Sequence, residues 1–247
     1  MKVNRRQLIQ AGLSLAGSSL LPAIGRGQAA AAGRGPSSAG AGSSFLDLVR
    51  PPTRVELRTG AGAQPLAGAA GGRWHWSDVE VQTVAEGDLL RISVSAPRTP
   101  LERIALRWNA AAAPDLEVLG DHWERSYADL AWKSLDPARV LPWYFLTFDG
   151  QQTHGYGVRT EPGALLYFGL DSAGVTLVAD LRCGGVAVRL GDRSLAVASL
   201  TTRRGGGEES PFAAARAFCR QMCPNPRLPS APVFGINDWY YAYGKNS

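Results

Sequence analysis

Between about Thr53 and Thr202 apolar and polar residues alternate in short runs, and glycine and aspartate punctuate the runs. RVELRT alternates from Arg54, and ERIALRWNA does so again from Glu102. The segment WHWSDVEVQTVAEGDLLRISVSA holds two runs separated by the turn Glu86-Gly87-Asp88. Three more segments read as hairpins, closed around Asp149-Gly150, around Asp171 to Gly174, and around Gly191-Asp192. A period of two places successive side chains on opposite faces of a strand, so one face of each run can be buried. Many such runs joined by regularly spaced Gly/Asp turns predict an antiparallel β-sandwich. The 29 glycines and 16 prolines in 247 residues favour turns and strands over long helices.

The pattern breaks twice. Residues 119–143, LGDHWERSYADLAWKSLDPARVLPW, carry three tryptophans and several charges without clean periodicity. Long irregular segments on a β scaffold are where function concentrates. From Ser210 onward a helix is predicted over PFAAARAFCRQMC. Ser210 is its N-cap, Pro211 occupies the first helical position, and Glu208 and Glu209 stand beside the positive end of its dipole. Pro224 stops it. PNPRLPSAP then reads as a stiff linker, and VFGINDWYYAYGKNS as a buried strand that turns polar.

The first residues have a different character. Lys2, Arg5 and Arg6 precede an apolar run from Ala11 to Ile24 and small residues around Ala29 to Ala32. This is the composition of an export signal, and Arg5-Arg6 resembles a twin-arginine leader. The competing reading is a retained membrane anchor, but the apolar run is short for a span. A cleaved leader over 1–32 would leave no stable membrane anchor and place the protein in the periplasm or outside a bacterial cell. It also changes the charge. The whole chain is +5, and residues 1–32 hold four of its cations and no acid, so the remainder is about +1. A nucleic-acid role thereby loses its electrostatic basis. Residues 33–44 form a flexible spacer.

Self-contained catalytic sets are missing from the pattern. No G-x-S-x-G elbow is present. Gly155-Tyr156-Gly157 and Gly205-Gly206-Gly207 lack the setting of a phosphate loop and read as turns. His75 lies between two tryptophans and faces away from both. Asp121, His122 and His154 form the single conceivable zinc set; no metal and no cofactor are expected. Cys183, Cys219 and Cys223 are an odd number, read as buried structural thiols, with a bridge from Cys183 to one of the others left open.

Aromatic residues beside polar ones form the more informative constellation. A sugar offers an apolar C–H face to Trp or Tyr and a hydroxyl rim to Asp, Asn, Glu or Arg. GDHWERSYADLAW supplies Trp123, Glu124 and Arg125, and GINDWYYAYG supplies Asn237, Asp238 and Trp239. The plainer alternative is that these tryptophans pack in a core or an interface.

The order of parts, an exported all-β domain, a short helix, a proline-rich linker and then PVFGINDWYYAYG, resembles the N-terminal part of an alpha-galactosidase-like glycoside hydrolase. That is the melibiase superfamily, families twenty-seven and thirty-six. The resemblance runs from about Phe45 to the end and includes GDHWERSYADLAW and LPWYFLTFDG. It implies a mainly β fold: an antiparallel β-supersandwich over 45–209, then a helix and Pro-rich linker over 210–231. The first strand of a truncated (β/α)8 barrel would follow over 232–247. Gly235-Ile236-Asn237-Asp238-Trp239 matches the family's G-x-N-x-W at the end of the first barrel strand. Trp239 would then be a substrate platform, with Asn237 and Asp238 beside it. The family's catalytic aspartates lie on later barrel strands, so no catalytic residue is assigned here. The expected partner is a carbohydrate substrate, and homo-oligomerisation is left open. The alternative is a non-catalytic, exported carbohydrate-binding sandwich that uses Trp123, Trp132 or Trp143.

Overall fold

A computed structural model of the chain describes residues 44–120 and 131–235. The described residues form two antiparallel sheets and one helix. The strands are β1 (Arg54–Thr59), β2 (Gly62–Pro65), β3 (Ala67–Ala69), β4 (Arg73–Trp76), β5 (Val79–Glu86), β6 (Leu89–Ala96), β7 (Arg103–Asn109), β8 (Glu117–Leu119), β9 (Lys133–Ser134), β10 (Val140–Leu141), β11 (Tyr144–Phe148), β12 (Thr153–Val158), β13 (Leu165–Asp171), β14 (Gly174–Asp180) and β15 (Gly191–Arg203). Helix α1 spans Pro211–Met222. One sheet has six strands in the order β10-β13-β14-β7-β1-β2. The other has nine, β3-β4-β5-β6-β15-β12-β11-β8-β9.

Alternation builds the core between the sheets. Along β7 the positions Ile104, Leu106 and Trp108 are buried while their neighbours are partly open. Phe145 of β11 stacks on Tyr156 of β12 at 4.8 Å and meets Phe168 of β13 edge-on at 5.2 Å, which joins the two sheets through aromatic contact. Trp108 is fully buried, and its indole N–H donates to the Arg50 carbonyl at 2.8 Å, so its one polar atom is satisfied.

Two of the predicted hairpins use the same device. Asp149 Oδ1 accepts from the N–H groups of Gln151 and Gln152 at 2.8 and 2.7 Å, closing β11 onto β12. Asp171 Oδ1 accepts from Ala173 and Gly174 at 2.8 and 3.0 Å, closing β13 onto β14. An aspartate that bonds the backbone two residues on pre-forms such a turn.

Elsewhere the structure departs from the pattern. WHW is a strand of its own, β4, which turns into β5 through Ser77 at φ 53, so the segment to Ala96 holds three strands rather than two. VAVRL does not pair with the strand that follows it: Val188 bridges Leu101, and Val186 bridges Cys183. Gly155 and Gly157 lie in the middle of β12 and are not turn residues. All six positions of β12 are buried, because α1 covers the face that the core does not. A Cβ on Gly155 would stand 2.4 Å from Phe218 Cγ, and one on Gly157 would stand 2.7 Å from Met222 Sδ. The glycines are what let the helix approach the sheet.

Helix α1 starts as its residues dictate. The Ser210 hydroxyl accepts from the Ala213 N–H at 3.2 Å, and Pro211 occupies the first turn. Arg203, at the end of β15, holds Glu209 through two 2.8 Å hydrogen bonds, tying the sheet to the helix entrance. After the helix no strand occurs in residues 223–235. Val233 is 79% exposed and Phe234 92%, which corrects the expectation of a buried strand there. No barrel is present among the described residues. The cysteines are free thiols: Cys183 and Cys219 are exposed and Cys223 half-buried, so they are neither core thiols nor bridged.

Candidate functional site

The six residues singled out for sugar contact, Trp123, Glu124, Arg125, Asn237, Asp238 and Trp239, lie outside the described residues. Their roots are described. Strands β8 and β9 pair at one edge of the nine-stranded sheet and carry the segment 121–130 between them. Arg139 pins its start, donating to the Gly120 carbonyl at 2.6 Å. On its other side Trp132 packs against Phe148 at 5.9 Å and against the cluster of Leu146, Phe218 and Met222. Trp132 therefore serves packing, the plainer of the two readings for it.

Trp143 packs against the same cluster and against the main core as well, but it also borders a cavity. Here the chain crosses from β10 in the six-stranded sheet to β11 in the nine-stranded one. A second crossing, residues 159–164, runs back from β12 to β13 beside it, and the Val158 N–H donates to the Trp143 carbonyl at 3.2 Å. Two cavities adjoin this second crossing and share Arg159, Thr160, Glu161 and Pro162 as a wall. One, of about 230 Å³, is bounded by Trp143, Ala164, Leu165 and Leu166. The other, of about 320 Å³, lies over the outward face of β5, β6 and β15, with Gln82, Arg91, Ser93 and Ser199 on its floor.

The turn between the cavities is held under backbone strain. Glu161 has φ 68, in the left-handed region that a glutamate rarely adopts, and it precedes a proline. Three backbone hydrogen bonds fix it from both sides: Arg159 N–H to the Ser199 carbonyl at 2.9 Å, Thr160 N–H to Met222 at 3.0 Å, and Gly163 N–H to Val197 at 3.0 Å. A Cβ on Gly163 would stand 2.3 Å from the Ala196 carbonyl oxygen, so only glycine fits there. The facing strand β15 shifts register between Ala196 and Ala198, a bulge in the same wall. Arg159 Nε is buried without a hydrogen-bond partner, and Glu161 is exposed and makes no ion pair among the described residues.

The buried histidine forms a second polar centre. His154 Nδ1 accepts from the Gly205 N–H at 3.1 Å, so the ring proton sits on Nε2 and is donated to Ser44 Oγ at 3.2 Å. The Ser44 side chain also helps to hold the Asp149 carboxyl below its ordinary value. This resembles a serine–histidine–aspartate set in composition only. A base must have an unprotonated nitrogen facing the serine, and here that nitrogen carries the proton. Both ring nitrogens are engaged, which also removes His154 as a metal ligand; Asp121 and His122 lie outside the described residues. No cluster of three or more His, Cys, Asp or Glu suited to a metal occurs among the described residues. His75, on the outer side of β4, lies 3.5 Å from Glu80 and faces away from Trp74 and Trp76.

Sequence reasoning had Trp143 among its aromatic candidates but missed Glu161 and Arg159. The only hint was Glu161-Pro162-Gly163 between two strands, which looks like any turn. Neither a protein-family model nor a curated protein matches the chain.

Proposed function

We propose that this chain is the N-terminal β domain of an exported, retaining glycoside hydrolase that acts on terminal α-galactosides or related sugars. The observation that carries the reading is the order of parts. Two antiparallel sheets are followed by a helix docked on one of them, a proline-rich segment, and then Gly235-Ile236-Asn237-Asp238-Trp239. Leu228, Val233 and Phe234 are exposed along that segment, as expected of apolar side chains that a following catalytic domain covers. On this reading 45–209 is a supersandwich and 232–247 opens the barrel. Trp239 is the platform for the sugar face, with Asn237 and Asp238 on its hydroxyls, and Trp123, Glu124 and Arg125 reach the rim. The β domain's own task is support. A retaining mechanism needs two carboxyls about 5 Å apart across the scissile bond, and these belong to later barrel strands. The leader over residues 1–32 delivers the protein across the membrane.

The test is hydrolysis of an aryl α-galactoside by the product of the complete reading frame. Release with retained anomeric configuration is expected, and Trp239→Ala should lower kcat/KM on the order of 100-fold, as for loss of a positioning group. The 247-residue chain alone should be inactive. No hydrolysis of any terminal α-galactoside by the complete product, or full activity in the Trp239→Ala variant, would sink the reading. Trp143 beside Glu161 and Arg159 favours one second reading, a carbohydrate-binding sandwich without catalysis; it predicts sugar binding by the 247-residue chain and no hydrolysis in any context.

A further inference from the structure

We propose that the cleft around the Arg159–Gly163 crossing binds a short neutral oligosaccharide. One sugar ring lies in the cavity walled by Trp143, and the next lies over the polar floor of β5, β6 and β15. The class of ligand rests on the carbohydrate reading above; the place does not, since none of these residues belongs to the G-x-N-x-W segment.

The chemistry of the walls selects the ligand. The two cavities, of about 230 and 320 Å³, adjoin across a single turn, and only together do they fall well within the size range of small-molecule sites. Trp143, Leu165 and Leu166 give the first an apolar wall suited to the C–H face of a pyranose. Gln82, Ser93 and Ser199 give the second a floor of hydroxyl and amide groups, each able to donate and to accept. Charges of both signs surround the cleft: Arg91 is paired with Glu86, and Arg159 and Glu161 stand on the shared turn. An anionic ligand would meet Glu161 and a cationic one Arg159, whereas a neutral polyol can hydrogen-bond to either.

The backbone gives an independent reason. Strain at a non-glycine residue persists when the surroundings over-determine it, and it clusters at ligand clamps. A glycine at 161 would adopt φ 68 freely, as Gly163 two positions on already meets a steric demand that only glycine can. The chain instead keeps a carboxylate at the strained position, without an ion-pair partner among the described residues and at the junction of both cavities. Arg159 lines both cavities as well, and its Nε is buried without a hydrogen-bond partner among the described residues.

The experiment measures binding of the full chain to raffinose, galactomannan, maltotriose and xylotriose by calorimetry or affinity electrophoresis. At least one probe should bind. Glu161→Gln, an exposed substitution that leaves folding intact, should weaken that binding about tenfold or more, the loss of one charge-assisted hydrogen bond. Trp143→Ala should abolish it. Glu161→Gly should weaken it equally while leaving the melting temperature unchanged or higher, which separates binding from folding. Failure of all four probes to bind overturns the proposal, as does binding that Glu161→Gln and Glu161→Gly leave intact. Neither failure bears on the glycosidase reading, which is judged by hydrolysis and by Trp239.

Discussion

Phe218→Ala is expected to cost about 3–5 kcal/mol and to unseat helix α1 from the nine-stranded sheet. The ring is 1% exposed and lies on Gly155, with Met222 one turn further on lying on Gly157. Its removal leaves a cavity that the helix cannot close, because the glycines beneath contribute no side chain to fill it. The converse substitution reaches the same end from below. Gly155→Val puts a Cβ 2.4 Å from Phe218 Cγ and two methyl groups beyond, so the helix must lift; overpacking of this kind costs about 3 kcal/mol. Denaturant titration reads both losses. Proteolysis in the connection 204–210 and thiol labelling at half-buried Cys223 report the lifted helix separately. Wild-type stability in Gly155→Val would show that the contact does not hold the helix. The effect reaches further than packing. The Met222 carbonyl, in the last turn of α1, accepts from the Thr160 N–H at 3.0 Å, so lifting the helix also releases one side of the Glu161 turn. The helix also leads directly into the segment that carries Gly235 to Trp239, so its seating sets where that segment leaves the domain.

The sheets were legible wherever local pattern and local turn agree. Arg54–Thr59 and Arg103–Asn109 alternate cleanly, and Asp149 and Asp171 both mark and make their hairpins. Contacts distant in sequence decided the rest. Gly155 and Gly157 look like turn residues until Phe218 and Met222, some sixty positions away, are placed on them. VAVRL has the composition of a hairpin arm, yet Val188 pairs with Leu101 across 87 positions. The order of strands within each sheet is likewise set by long-range pairing that alternation does not encode. Val233 and Phe234 have the hydrophobicity of a buried strand, but burial needs a neighbour as well as an apolar side chain, and residues 44–120 and 131–235 provide none. The aromatic–polar composition of a sugar site was visible in GDHWERSYADLAW and GINDWYYAYG, of which residues 121–130 and 236–244 lie outside the described residues. At the cleft, Trp143 was visible and Glu161 was not. A positive φ at glutamate runs against its local preference, so only the hydrogen bonds of Arg159, Thr160 and Gly163 reveal it.

Below pH 6.5 the protein should lose stability through His154, and His154→Leu should both lower stability at neutral pH and flatten that decline. Burial favours the neutral imidazole and the nearby Arg204 guanidinium disfavours a second positive charge; Asp149 opposes both without overcoming them, so the folded-state value lies below the ordinary 6.5. A base whose folded value is depressed binds its proton more readily when unfolded. Its contribution is therefore complete above 6.5 and is lost as the pH falls through the folded value. The geometry supplies the mechanism. Protonation puts a hydrogen on Nδ1, which then faces the Gly205 N–H at 3.1 Å, donor against donor. Gly205 cannot withdraw by a side-chain adjustment, since it is packed so tightly that a Cβ would stand 2.1 Å from the Thr153 carbonyl oxygen. Asp149 acts in the same direction at lower pH. Burial would raise its carboxyl, but the Ser44 hydroxyl and the N–H groups of Gln152 and Gln151 outweigh it and hold it below 3.8. The strand that follows the histidine feels the change as well, because Tyr156, whose hydroxyl is pushed up to about 12 by burial, accepts from the Leu46 N–H at 3.0 Å. Phe45 lies between the His154 and Tyr156 rings, with Arg204 over it at 4.5 Å, so Ser44–Leu46 is seated through this one cluster. His154→Leu leaves the Gly205 N–H buried without an acceptor, a loss of about 1–3 kcal/mol at pH 7.5. Thermal melts from pH 7.5 to 5 check both parts. A wild-type melting temperature that is flat across that range, or one that falls just as steeply in the leucine variant, would place the acid sensitivity elsewhere.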